Sequence, residues 1–156
     1  MTIYNELLDS LFEQASENPR LRINYDLRTS GDDSSQRMLN AMQPGTVCAI
    51  HRHAATSETV ICLTGRMDEV FYEEVSEFQK GSVSYNDARL QDSQDVARSR
   101  RFKEIERIHL CPVEGKYGCQ VPKGMWHTVE VIEPSVIFEG KDGAYGKDGS
   151  ETWNNS

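Results

Sequence analysis

His51 and His53 flank a single arginine in His51-Arg52-His53. On a strand, residues i and i+2 project to one face about 6.5–7 Å apart, so two imidazoles in this arrangement can converge on one metal ion. Glu58 follows after the connection 54–57 and can return a carboxylate to the same face from the next strand. A histidine pair on a strand is often only hydrogen-bonded or solvated, and it is the carboxylate that turns this one toward metal chemistry. Arg20 and Arg22 share a face and can either clamp an anionic ligand or form a solvated strand surface. Glu58, Val60 and Cys62 share a face by period two, which makes Cys62 a core residue rather than a nucleophile or fifth ligand. His109 lies outside the pattern, and the acidic run Asp68, Glu69, Glu73, Glu74 and Glu77 reads as a solubilising surface. The inward positions Ala49, Val60, Cys62, Met125 and Val129 supply no further acid or base, which leaves catalysis an open question.

Elements must hold these residues in place. From Thr2 to Asn18 the residues Ile3, Leu7, Leu8, Leu11, Phe12 and Ala15 recur at helical spacing, with Thr2 as the expected N-cap and Pro19 as the stop. The helix should pack outside the fold through Ile3, Leu7, Leu8, Leu11 and Phe12. After Pro19 the chain breaks into short strand-like runs: Leu21 to Leu27, Arg37 to Met42, Val47 to His53, Glu58 to Thr64, Met67 to Glu74, Glu106 to Cys111, Lys116 to Val121, Thr128 to Ile132 and Val136 to Glu139. Many short strands separated by Pro and Gly turns predict two antiparallel sheets enclosing one pocket. The stretch 76–101 is polar and reads as a long insertion with a short helix near Asp92 to Arg101. The glycine-rich tail 141–156 should be loosely ordered. At 156 residues the whole chain, 1–156, reads as a single domain.

Composition narrows the partners. Seventeen basic against 25 acidic residues give a net charge of -8, which argues against nucleic acid or an anionic membrane and leaves a small-molecule ligand. No apolar run of about 18 residues occurs and the first ten residues carry Glu6 and Asp9, so a cytoplasmic protein is expected. Cys48, Cys62, Cys111 and Cys119 form no C-x-x-C pair and read as reduced thiols.

The string Gly45-x5-His51-x-His53-x4-Glu58-x6-Gly65 resembles the first motif of the cupin superfamily. Pro122-x-Gly124-x2-His127 resembles the core of the second, although the preceding glycine is displaced to Gly115 and Val131 stands where the motif has asparagine. The resemblance implies an all-β fold, a double-stranded β-helix (cupin or jelly-roll barrel) with an N-terminal α-helix over 1–18, and adds His127 as a metal ligand beside His51, His53 and Glu58. Trp126 then points away from His127 and packs. The segments Asn18 to Asn24, Gln36 to Gly45 and Phe138 to Tyr145 are similar to the WbuC family of cupin-fold metalloproteins, small bacterial proteins often encoded among genes for surface-polysaccharide synthesis.

That likeness implies one divalent transition metal, Fe, Mn, Ni, Co or Zn, on three neutral imidazoles and one carboxylate. The site would keep a net charge near +1 and two open positions on a six-coordinate ion, which suits a chelating pair of oxygens. The function expected is binding of, or action on, a small oxygen-rich molecule such as a sugar or nucleotide-sugar, in surface-polysaccharide metabolism. The alternatives are a noncatalytic small-molecule or metal-binding module and a metal-dependent isomerase or dioxygenase. A homodimer would be compatible with strand packing through the N-terminal segment.

Overall fold

The computed structural model describes residues 1–75 and 101–153. The 76–101 insertion and its expected helix therefore lie, but for Arg101, outside the described residues. Helix α1 (Asn5–Glu17) is followed by strands β1 (Arg22–Asp26), β2 (Ser35–Met42), β3 (His51–His53), β4 (Glu58–Glu74), β5 (Phe102–Leu110), β6 (Gly118–Val121), β7 (Trp126–Asp142) and β8 (Ser150–Thr152). All strand pairings are antiparallel.

Two long strands build the barrel by bending. β4 and β7 pair along almost their whole length, from Glu58↔Lys141 to Tyr72↔Trp126, with register shifts between Cys62 and Met67. On one side of the bend the order is β1, β2, β7, β4, β6; on the other it is β8, β3, β7, β4, β5. The sequence suggested separate strands at 58–64 and 67–74, and at 128–132 and 136–139; each pair is one continuous strand turned through a corner. Gly65 makes the corner possible: its φ is +98°, and a Cβ there would lie 2.3 Å from the Pro134 carbonyl oxygen. Ser135 then closes the bend, its Oγ accepting the Arg66 N–H at 3.0 Å.

The interior is packed by Met42, Val60, Cys62, Met67, Phe71, Leu110, Val121 and Ile137. Outside, Leu11 and Ala15 of α1 bury themselves with Leu39, Ala41 and Val136, joined by Leu7, Leu8 and Phe12. Ile3 does not take part and is exposed, because the helix starts after Tyr4 rather than at Thr2 and Tyr4 makes no side-chain cap. The C-terminal end matches expectation: Asn18 is extended, as the residue before Pro19 should be. A third cluster, Ile50, Val70, Tyr72, Phe102 and Trp126, is completed by Trp153. Trp153 and β8 correct the loosely ordered tail. Ser150–Thr152 pair with His51–His53, and the Trp153 N–H donates to the Ile50 carbonyl at 2.9 Å. Two anchors are enough to fix a glycine-rich segment when one is an indole packed edge-to-face with Phe102 at 5.5 Å and the other a sheet edge.

Candidate metal centre

His51 and His53 project from β3, and His127 is the cross-strand partner of His51 on β7. Its position follows from the Pro122-Lys123-Gly124 turn, where Gly124 takes φ +77° and the Met125 N–H bonds the Pro122 carbonyl at 3.0 Å. The potential ligand atoms of His51, His53 and His127 all lie within 4.8 Å of one another. Their ring centroids are 4.2 Å apart for His51 and His127 and 5.1 Å for His51 and His53.

Each imidazole is oriented from behind. His51 Nδ1 lies 3.0 Å from the Ala49 carbonyl and His127 Nδ1 lies 2.9 Å from the Met125 carbonyl. A carbonyl only accepts, so both Nδ1 atoms carry the proton and both Nε2 atoms keep a lone pair. His53 Nδ1 donates to Ser150 Oγ at 2.8 Å, and that hydroxyl donates to Asp148 Oδ1 at 2.6 Å. Asp148 is itself buried and receives the Gln36 amide at 3.2 Å. A ligating histidine backed by a carboxylate through its other nitrogen is a recurrent arrangement around protein-bound metals. Burial is the main cause that lowers the basicity of His51 and of His127, the latter to about 3, so neither ring competes for protons at neutral pH.

Glu58 adjoins the group through one member: its Oε2 is 2.8 Å from His53 Nε2. Two electron-rich atoms at that distance need a proton or a cation, and Lys141 supplies one, with Nζ 3.2 Å from His53 Nε2 and 3.4 Å from Glu58 Oε2. Although burial opposes it, the hydrogen bond to His53 and the Lys141 charge hold the Glu58 carboxyl down at about 2. The donor set fits a divalent ion: the Nε2 lone pairs of His51 and His127 are free, His53 Nε2 is shared with Glu58 and Lys141, and an ionised carboxylate stands beside them. Lys141 sits where it competes for two of those four donors.

His51, His127 and Glu58 line a cavity of about 300 Å³. Arg20, Arg22, Asn24, Asn40, Glu69 and Glu139 line it as well. Two expectations change here. Glu69, grouped in the sequence with a solvated acidic run, is buried inside the barrel, and the interior is not without acids beyond Glu58. Asp148 was hidden in the tail; the signal that could have found it is a short polar triplet, Asp148-Gly149-Ser150, next to Trp153. His109 stays apart, bonded to Asp68 at 2.7 Å. Cys62 is core, its thiol pushed by burial up to about 11, and all four cysteines are free. Trp126 packs edge-on to Phe102 at 5.1 Å, on the face away from the site. No helix among the described residues is long and apolar enough to cross a membrane.

The fold is of the cupin type, a bent antiparallel barrel, with histidines from β3 and β7 meeting in its mouth. The chain belongs to the family described as a domain of unknown function (DUF6016), whose model matches residues 3–83. No curated protein matches it. Among solved structures it is similar to the capsular polysaccharide assembling protein CapF from Staphylococcus aureus, at 13% identity and a TM-score of 0.54, over 88% of this chain and 33% of that one. It also resembles KdgF from Halomonas sp., at 14% identity and a TM-score of 0.50 over 81% of this chain and 83% of that one. A further neighbour is oxalate oxidase in complex with the substrate analogue glycolate, at 10% identity and a TM-score of 0.50 over 88% of this chain and 57% of that one. The chain spans about a third of CapF, and at these identities the likeness is one of fold.

Proposed function

We propose that the protein binds one divalent transition metal, Fe, Mn, Ni, Co or Zn, through His51, His53 and His127 with Glu58 as fourth ligand, and uses it to bind or act on a small oxygen-rich molecule. The observation that carries this is the convergence of three imidazoles within 4.8 Å whose outer nitrogens are all held by the protein. The bound ion would act as a Lewis acid toward a chelating pair of oxygens. The chain's own part is to hold three Nε2 atoms in place, to keep those of His51 and His127 unprotonated by burial, and to enclose the ligand in the barrel.

A sugar or nucleotide-sugar is the ligand class we favour, in the setting of surface-polysaccharide metabolism and of a bacterial WbuC-type cupin. Two supports are independent of the metal: the similarity of Asn18 to Asn24, Gln36 to Gly45 and Phe138 to Tyr145 to that family, and the fold shared with a capsular polysaccharide assembling protein. The test is elemental analysis of protein purified without a metal-affinity tag, followed by calorimetry of sugars and nucleotide-sugars on metal-loaded and metal-stripped samples. Binding that requires the metal supports the reading. Equal binding to both samples would make the ion structural.

A further inference from the structure

The cavity wall away from the histidines holds buried polar atoms that metal binding does not use. Glu69 is 1% exposed and lines the cavity, and neither carboxyl oxygen has a hydrogen-bond partner among the described residues. Asn40 lines the same space at 7% exposure; its amide serves the Glu139 carboxyl, while its Oδ1 has no partner among the described residues. Leaving a buried polar atom unpaired costs about 1–3 kcal/mol, and three such oxygens around one cavity point to a ligand that satisfies them.

The chemistry of that ligand follows from what the walls offer. An amide oxygen only accepts, so the ligand must bring donors. Arg20 and Arg22 stand on the same cavity, and both side-chain hydrogen bonds of Arg22, to the Val47 carbonyl and Cys48 Sγ, come from one nitrogen, Nη1. Their charges, added to that of a metal ion, disfavour a cationic donor and favour an anion. Hydroxyl groups on an acid meet both requirements; a bare keto-acid or phosphate does not. The titratable and charged groups lining this space are Glu58, Glu69, Glu139, His51, His127, Cys48, Arg20 and Arg22.

We propose that Glu69 is a ligand-contacting residue, forming with Asn40 and Glu139 a hydrogen-bonding wall for the hydroxyls of a small polyhydroxy acid whose chelating oxygens face the histidines. The assignment rests on the metal reading above and narrows its ligand class. Gluconate and glucuronate are the probes, with hexanoate as an acid lacking hydroxyls, titrated by calorimetry into metal-loaded protein whose metal content is measured in the same samples. The wild type should bind gluconate or glucuronate and not hexanoate. Glu69→Gln and Glu69→Leu should each weaken binding tenfold or more with metal content unchanged, and Glu73→Gln, on the exposed end of β4, should bind as the wild type does. The isosteric Gln variant guards against loss of fold. Equal affinity in wild type and both Glu69 variants would overturn the proposal, leave the metal reading intact and assign the wall to water. Failure of both probes on wild-type protein with full metal content would overturn the ligand class, and absence of metal would bring down the reading beneath it.

Discussion

The two walls of the cavity are built on opposite principles. On the histidine wall each Nδ1 has a partner behind it, two of them backbone carbonyls and the third the Ser150 and Asp148 relay, so the rings are held before anything binds. On the acid wall Glu69 is buried with no hydrogen-bond partner among the described residues, and burial followed by the negative charge of Glu58 raises its carboxyl well above the ordinary range. Glu139, raised by the same two causes to about 8, stands with it. One wall has its polar groups satisfied and its lone pairs aimed; the other carries a cost that only a ligand or water can relieve. The contrast separates residues that stabilise a geometry from residues that await a contact.

Metal content should break the comparison most sharply. His53→Ala and His127→Ala should each lose most of the bound ion, whereas His109→Ala, whose ring is committed to Asp68, should keep it; elemental analysis of folded samples decides. Equal loss in all three would assign the effect to unfolding. Support from behind matters less: Asp148→Asn should weaken metal binding about 10-fold to 100-fold, read from competition with a chelator.

The walls should respond to pH with opposite signs in metal-free protein. His127 is neutral in the fold down to about 3 but takes up a proton near 6.5 when unfolded, so its contribution to stability is lost as pH falls through that window. Glu139 keeps its proton up to about 8 when folded but loses it near 4.5 when unfolded, so its contribution is lost as pH rises from 4.5 to 8. Denaturant unfolding across pH should show Glu139→Gln flattening the alkaline limb and His127→Gln the acid limb, by on the order of 2 kcal/mol. A variant that shifts the whole curve without changing either slope would contradict the assignment.

A smaller effect joins the walls at Lys141. Its ammonium competes with an ion for His53 Nε2 and Glu58 Oε2. Lys141→Met should therefore tighten metal binding several-fold at neutral pH, and a weaker affinity would show that Lys141 holds Glu58 in place instead. Stability tests the acid wall separately: Glu69→Gln should leave metal-free protein as stable as the wild type at pH 5 and about 1–3 kcal/mol more stable at pH 8, since it removes a buried group whose ionised form is penalised.

What could be read from the sequence divides along the same line. The histidine wall is legible because H-x-H on a strand is a local pattern, and because Pro122-x-Gly124-x2-His127 resembles the second cupin motif, which is what supplies His127. Glu58, Val60 and Cys62 also face inward as period two requires. The same arithmetic failed across Gly65. The register shifts between Cys62 and Met67 change the phase, so that Met67, Glu69 and Phe71 face inward where the even-numbered residues did before. Grouped by charge alone with Asp68, Glu73, Glu74 and Glu77, Glu69 reads as surface, and the bulge at Gly65 is what turns it inward. Asp148 was missed for another reason: its partners, His53 and Gln36, are 95 and 112 positions away, and no local pattern announces that the tail returns to β3.

Whether three oriented imidazoles hold one divalent ion at the barrel mouth is tested most directly by titration of metal-free protein with Co²⁺, followed by its visible absorption and by calorimetry. One equivalent should bind, with a spectrum of mixed nitrogen and oxygen ligation, and both signals should be lost in His51→Ala, His53→Ala and His127→Ala. Binding of Co²⁺ with unchanged stoichiometry and spectrum in all three variants, or no binding to the wild type at neutral pH, would contradict the metal reading.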